Sequence, residues 1–121
     1  MKILIAEDHP TMKVLIKRTV KSAYPSGLIE EVADGGELVK RALDSQWDLI
    51  ISDISMPVMT GLEALREIRK HSPGLPVIIL SSHIEDVYIR NALKAGASAY
   101  VPKHKIHEEL SKAIRRVLGV S

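Results

Sequence analysis

The strongest constraint on how this chain can fold is an alternation. Five short apolar runs, Ile3-Leu4-Ile5-Ala6, Ile29 to Ala33, Leu49-Ile50-Ile51, Val77-Ile78-Ile79-Leu80 and Ala99-Tyr100-Val101, are separated by longer amphipathic stretches. Three of the runs are continuous rather than alternating, and a strand that is apolar on both faces belongs in a sheet covered on both sides, as parallel sheets are. The stretches between them carry a helical period. Met12, Leu15, Ile16, Thr19, Val20 and Ala23 line one face of a first helix, and Leu38, Val39, Ala42 and Leu43 one face of a second. Leu62, Leu65 and Ile68 mark a third, Ile89, Ala92 and Leu93 a fourth, and Ile106, Leu110, Ala113, Ile114 and Val117 a fifth. The fourth should stop at Gly96, a residue type suited to a helix C-terminus. Parallel strands need crossover connections, and these are right-handed. The expected fold is therefore an α/β sheet with helices on both faces.

The chain has 121 residues, enough for one domain with its own core. It contains no Phe and 3% aromatics, so that core must be aliphatic. No repeat, low-complexity tract or linker interrupts it. Seventeen basic residues against fifteen acidic give +2. The densest basic group, Lys103, Lys105, Lys112, Arg115 and Arg116, reads as a solvated helix face rather than a nucleic-acid stripe. Without cysteine there is neither a disulfide framework nor a thiolate metal site, which fits a reducing compartment. The apolar start is ended by Glu7 and Asp8, too early for a secretory signal, and no run reaches membrane-spanning length. The expectation is a cytoplasmic protein with no membrane segment.

In open α/β sheets, sites form beyond the carboxyl ends of the strands. Glu7 and Asp8 follow the first run, Asp53 the third, Ser81 and Ser82 the fourth, and Lys103 the fifth. Three carboxylates, a hydroxyl and an amine thus converge on one edge. Carboxylates so close repel and raise one another's pKa, and a divalent cation would offset this. Hard oxygen ligands favour Mg²⁺, with Mn²⁺ as the alternative. A cation, a lysine and a hydroxyl around one carboxylate suit a phosphoryl group, with the carboxylate as nucleophile. Each residue alone has a plainer reading. Asp8 could cap a helix beginning near Pro10. Asp53 could be a turn residue before Met56-Pro57, Ser81 and Ser82 ordinary strand-end serines, and Lys103 solvent-exposed. The joint placement favours the site. His9, His71, His83, His104 and His107 lack a metal-ligand spacing. Gly35-Gly36 reads as a turn into the second helix, not a phosphate loop. Tyr88 is either core edge or partner surface.

The order Glu7-Asp8, Ser52-Asp53-Ile54-Ser55-Met56-Pro57, Gly61, Ser81-Ser82, Gly96-Ala97-Ser98-Ala99-Tyr100 and Lys103 resembles bacterial two-component response-regulator receiver domains along essentially the whole chain. Ile5-Ala6-Glu7-Asp8-His9-Pro10 is similar to the branch usually joined to a LuxR-type helix-turn-helix output domain. The resemblance implies one receiver domain over residues 1–121, with a flavodoxin-like (βα)5 doubly wound parallel sheet of strand order 2-1-3-4-5. It implies a signalling phosphoacceptor, not an enzyme acting on outside substrates, though able to catalyse its own phosphorylation and dephosphorylation. Asp53 would be the phosphoacceptor. Glu7, Asp8, Asp53 and the backbone carbonyl of Ser55 would hold Mg²⁺. Ser81 and Lys103 would contact the phosphoryl oxygens, and Tyr100 would be the aromatic switch that turns inward once Ser81 moves. Pro57 and Gly61 would shape the loop after the third strand. Implied partners are a histidine kinase or phosphotransfer protein, an output domain or partner protein reading the fourth helix, fifth strand and fifth helix, and a phosphorylation-dependent homodimer. Direct nucleic-acid binding is not implied, since the fifth helix ends near Leu118-Gly119 and leaves no room for a helix-turn-helix. The sequence departs from the family's common pattern at His104, which follows Lys103 where proline is frequent, so a trans bond is expected there. Glu7 stands where Asp is also common, and Ser81 where Thr is frequent. Ser55 and His83 fall at positions that vary in the family and tune hydrolysis. Two alternatives remain: a pseudo-receiver that binds without phosphorylation, and a Mg²⁺-dependent small-molecule phosphatase. The latter commonly has an aspartyl nucleophile after the first strand and a second Asp two residues on, a spacing that Glu7-Asp8-His9 lacks.

Overall fold

A computed structural model describes residues 1–83 and 85–119. Five strands alternate with five helices: β1 Lys2–Ala6, α1 Pro10–Ala23, β2 Leu28–Val32, α2 Gly35–Asp44, β3 Leu49–Asp53, α3 Gly61–His71, β4 Val77–Ser81, α4 Asp86–Lys94, β5 Ala99–Pro102 and α5 Ile106–Val117. A 3-10 turn over Lys103–Lys105 joins β5 to α5. All strand pairs are parallel, in the order β2-β1-β3-β4-β5. This is the flavodoxin-like arrangement that the alternation implies.

The two-residue period of the strands divides the core into two layers. Ile3, Ile5, Leu49, Ile51, Ile78, Leu80, Ala99 and Val101 face α1 and α5, meeting Ile16, Val20, Leu110 and Ile114. Leu4, Ala6, Ile50, Val77 and Ile79 face the other way, against Leu38, Ala42, Leu65, Ile68 and Ala92 of α2, α3 and α4. β3 and β4 are buried along their full length, which is why their sequences are continuous apolar runs. β2 lies at an edge. Its Leu28 is 67% exposed, and Glu30 and Glu31 pair with Arg41 and Lys17. Charged side chains on an edge strand discourage pairing with another chain.

Three positions assigned to helix faces by periodicity are corrected, and one of them, Ala23 in the last turn of α1, is exposed. Leu43 and Leu93 are 44% and 49% exposed, because each follows an alanine, Ala42 or Ala92, that is already packed on the sheet. Adjacent helical residues point about 100° apart, so a narrow contact admits only one of them. α4 does end at Gly96. Its φ is +107°, a region open to glycine at little cost, and the Gly96 and Ala97 amides donate to the carbonyls of Leu93 and Ala92 at 3.1 and 3.0 Å. Arg69 of α3 secures this corner by donating from Nε to the Gly96 carbonyl at 2.8 Å. Burial pushes the Arg69 pKa down. Gly35 opens α2 as expected, behind Asp34, whose side chain accepts the Glu37 amide at 2.8 Å. No cis peptide bond occurs among the described residues, so the bond before His104 is trans as expected.

The connection from β3 to α3 controls the approach to Asp53. Thr60 and Glu63 form a reciprocal capping box that starts α3. Gly61 packs so tightly that a Cβ there would sit 2.1 Å from the Asp53 carbonyl oxygen. Overpacking of this kind costs about 1–3 kcal/mol. Gly61→Ala should lower the unfolding free energy obtained from urea titration by an amount in that range. Gly74→Ala, where a Cβ meets nothing within 4 Å, should change stability by less than about 0.5 kcal/mol.

Candidate functional site

The carboxyl ends of β1, β3, β4 and β5 open on the same edge of the sheet. The Glu7 amide donates to the Val32 carbonyl at 3.1 Å, extending the β1–β2 ladder by one residue, and the Glu7 side chain is fully buried. Asp8 is exposed. It does not cap α1: the N-cap is His9, which makes no side-chain capping bond, and Pro10 opens the helix. The Asp8 carboxylate is thereby left at the cleft. β3 ends on Asp53, 5% exposed, and β4 on Ser81, 0% exposed. The 3-10 turn after β5 sends Lys103 back across the edge, so its plainer reading as a solvated lysine is excluded.

Lys103 Nζ lies 3.1 Å from Glu7 Oε1 and 3.1 Å from Asp53 Oδ2. Burial acts to lower the Lys103 pKa. The hydrogen bond and charge of Asp53, with the charge of Glu7, outweigh it and hold the ammonium above the usual lysine value. One carboxylate oxygen each from Glu7, Asp8 and Asp53 falls within a 4.8 Å cluster. Three carboxylates against one ammonium leave the cluster short of positive charge. Glu7 Oε2 accepts the His9 amide at 3.1 Å, whereas the buried Glu7 Oε1 has its ion pair with Lys103 but no other polar partner among the described residues. A buried carboxylate oxygen so placed, in an all-oxygen donor set, could hold a hard divalent cation. The Ser55 amide donates to Asp53 Oδ1 at 3.4 Å. Asp8, His9, Asp53, Ser55, Ser82, His83 and Lys103 line a cleft of about 290 Å³.

A second group of contacts gathers around the loop after β4. Ser81 Oγ accepts the His83 amide at 3.0 Å, and the Tyr100 hydroxyl donates to the His83 carbonyl at 2.6 Å. Burial raises the Tyr100 pKa. A hydrogen bond with Ser81 opposes that rise, and the charges of Glu85 and Tyr88 add to it. The His83 ring stacks on Tyr88 with centroids 4.1 Å apart and planes 11° from parallel. Tyr88, 38% exposed, is thus part of the wall beside the site. The acidic set and Lys103 come together as expected, while Ser81 and Tyr100 meet at His83. The structural part played by His9 and His83 was not read from the sequence. Their signal was position alone, each lying just beyond a strand end.

The family model of the response regulator receiver domain matches residues 3–115, and the chain belongs to that family. It is a signalling module of two-component systems rather than a catalytic enzyme, with Glu7, Asp8 and Asp53 as its acidic site. Among its relatives is the response regulator protein VraR of Staphylococcus aureus, 31% identical over 116 residues. The match takes in 96% of this chain and 56% of VraR, so the chain spans about half the length of that relative. A LuxR-family two-component response regulator from Aurantimonas sp. SI85-9A1 superposes with a TM-score of 0.89 at 29% identity, covering 98% of this chain and 84% of that one. The receiver domain of a sensor histidine kinase from Pseudomonas aeruginosa PAO1, solved with a magnesium ion coordinated in its active site cleft, gives 0.86 at 31% identity, covering 98% and 97%. No helix among the described residues is long and apolar enough to cross a membrane.

The raised pKa of Lys103 has a definite sign in stability. Its ion pairs contribute fully below the unfolded-state lysine value, about 10.4, and that contribution is lost as pH rises through the higher folded value. Urea midpoints measured from pH 9 upward should fall more steeply for the wild type than for Lys103→Met.

Proposed function

We propose that Asp53 accepts a phosphoryl group and that the resulting charge resets the surface formed by α4, β5 and α5. The observation that carries this reading is the position of Asp53: a buried carboxylate with Oδ2 held by Lys103, beside two further carboxylates. An Asp53 carboxylate oxygen attacks phosphorus as the bond to the donor's leaving group breaks. For a phosphohistidine donor that is the N–P bond, and the freed imidazole nitrogen takes its proton from solvent. Lys103 then pairs with phosphoryl oxygens that replace the Asp53 charge it already faces, and the Ser81 hydroxyl donates to the same group. Glu7, Asp8, Asp53 and the Ser55 backbone carbonyl are the ligands assigned to Mg²⁺. When bound, Mg²⁺ supplies charge neutralisation for the phosphoryl oxygens.

The added group brings a charge of about −1.5 to −2. Only one arrangement of the loops after β4 and β5 lets both Ser81 and Lys103 reach it, and that differential contact shifts the population. Tyr100 bonds to the carbonyl of His83, two residues beyond Ser81. Movement of Ser81 therefore reaches Tyr100 through one loop. On this reading residues 1–121 form one receiver domain, phosphorylated by a histidine kinase or phosphotransfer protein. It regulates an output domain or partner protein, with transcription as the outcome by analogy with its LuxR-family relatives. A phosphorylation-dependent homodimer belongs to the same reading.

Intact-mass measurement after incubation with acetyl phosphate and Mg²⁺ tests the chemistry. One acid-stable, base-labile phosphoryl adduct is expected on the wild type and none on Asp53→Asn. No adduct, under conditions that label a known receiver, favours a pseudo-receiver. The metal assignment has its own test. At a hundred times its dissociation constant Mg²⁺ should add about 2.7 kcal/mol to wild-type unfolding, and clearly less to Asp53→Asn.

A further inference from the structure

Tyr88 has no part in the chemistry proposed for Asp53, yet its ring is fixed to the wall of that site. A helical side chain leans back toward the N-terminus of its helix. Tyr88 is the third residue of α4, so it projects over the loop that enters the helix. There it stacks on His83, with ring centroids 4.1 Å apart and planes 11° from parallel. His83 lines the acidic cleft with Asp8, Asp53 and Lys103. It also lines a smaller hollow of about 230 Å³, together with Ile54, Leu62, Tyr88 and Asn91. The stack therefore stands where the two cavities meet.

α4 is anchored unevenly. Its far end is held by the amides of Gly96 and Ala97, which donate to its last turns, and by Arg69 on the Gly96 carbonyl. Its one buried side chain, Ala92, lies in the same half. Asp86, Val87 and Tyr88 of the first turn are exposed, so packing on the sheet does not hold that turn in place. The ring stack links it to the phosphoryl site.

His83 in turn follows Ser81. Its amide donates to Ser81 Oγ at 3.0 Å, and a hydroxyl that accepts one hydrogen bond still has its own proton to donate. Ser81 can turn that proton to phosphoryl oxygens and keep the His83 amide, so a shift of Ser81 carries His83 with it. The carbonyl of His83 accepts the Tyr100 hydroxyl at 2.6 Å. One loop residue thus meets the site through its amide, β5 through its carbonyl and α4 through its ring.

We infer that Tyr88 is a positioning residue for the phosphoryl site: by stacking on His83 it ties the first turn of α4 to the loop after Ser81, so that α4 responds to Asp53 by a route that does not pass through Tyr100. The inference rests on the reading of Asp53 as the phosphoacceptor.

Beryllium trifluoride, which binds carboxylates as a tetrahedral stand-in for a phosphoryl group, provides the test when added with Mg²⁺. Amide chemical shifts of the isotope-labelled protein are compared with and without it inside each variant, so that the static effect of a removed ring cancels. In the wild type the amides of Asp53, Ser81 and Lys103 should shift, and with them those of Val87, Tyr88 and Ile89. Tyr88→Leu, altered at an exposed side chain, should keep the shifts at Asp53 and Ser81, while those in the first turn of α4 fall to less than half. Tyr88→Phe keeps the ring and should match the wild type. Tyr100→Phe removes the hydroxyl bond to His83 and should leave the α4 response in place. A full α4 response in Tyr88→Leu, or its loss in Tyr88→Phe or Tyr100→Phe, would overturn the inference. So would a wild-type α4 that stays unmoved while Ser81 and Lys103 shift. No shift at Asp53, Ser81 or Lys103 in the wild type would defeat the phosphoacceptor reading itself, and the inference with it.

Discussion

Lys103 reaches two buried carboxylates from different strands, 3.1 Å from an oxygen of each. Without it Glu7 and Asp53 would be buried charges side by side, and an uncompensated buried charge is destabilising by about 3–5 kcal/mol. The rest of the architecture makes this contact possible. Glu7 is carried by β1 and Asp53 by its neighbour β3, whereas Lys103 follows β5 at the sheet edge, with β4 between. The lysine must therefore cross the end of β4 to reach them, and it does so just where Ser81 closes that strand. A single ammonium thus ties the two edges of the site together and leaves the cluster with an excess of negative charge.

The two-layer core explains why that edge can be both rigid and polar. β3 and β4 are covered on both faces by aliphatic side chains, so their ends are fixed by packing before any polar contact forms. Gly61 then brings the start of α3 against the Asp53 backbone. The loop after β4 is held differently, by contacts centred on His83: its amide to Ser81, its carbonyl to Tyr100 and its ring to Tyr88. A few polar and ring contacts are easier to rearrange than a packed aliphatic layer. The division places the chemistry on the rigid strands and the capacity to move on the loops.

These two parts were not equally legible in the sequence. Doubly buried strands write themselves as continuous runs, so β1, β3 and β4 could be read directly, and their ends located Glu7, Asp8, Asp53 and Ser81. The order of strands came with the family resemblance. Periodicity overreached at Leu43 and Leu93, since it reports an apolar face but not how wide the neighbouring contact is. The Thr60–Glu63 capping box was written in the spacing and overlooked. The His83–Tyr88 stack has no sequence signature, because it depends on the path of the loop between β4 and α4. Asp8 was undecidable from sequence alone, since an Asp before a proline-led helix is equally a cap and a ligand. The position of His9 as N-cap removes the capping role and leaves the Asp8 carboxylate in the acidic cluster.

Net charge was the least informative feature, for a physical reason. A total of +2 conceals local concentrations of either sign. Glu7, Asp8 and Asp53 crowd the carboxyl edge of the sheet, while Arg18, His107 and Arg115 line a cleft between α1 and α5 with no acid among them. Fields of this kind act over about 8 Å at physiological ionic strength, so each region presents its own sign to an approaching ion whatever the total. The acidic edge repels an approaching anion unless a divalent cation offsets its carboxylates, so on the proposed reading phosphoryl binding there depends on the cation.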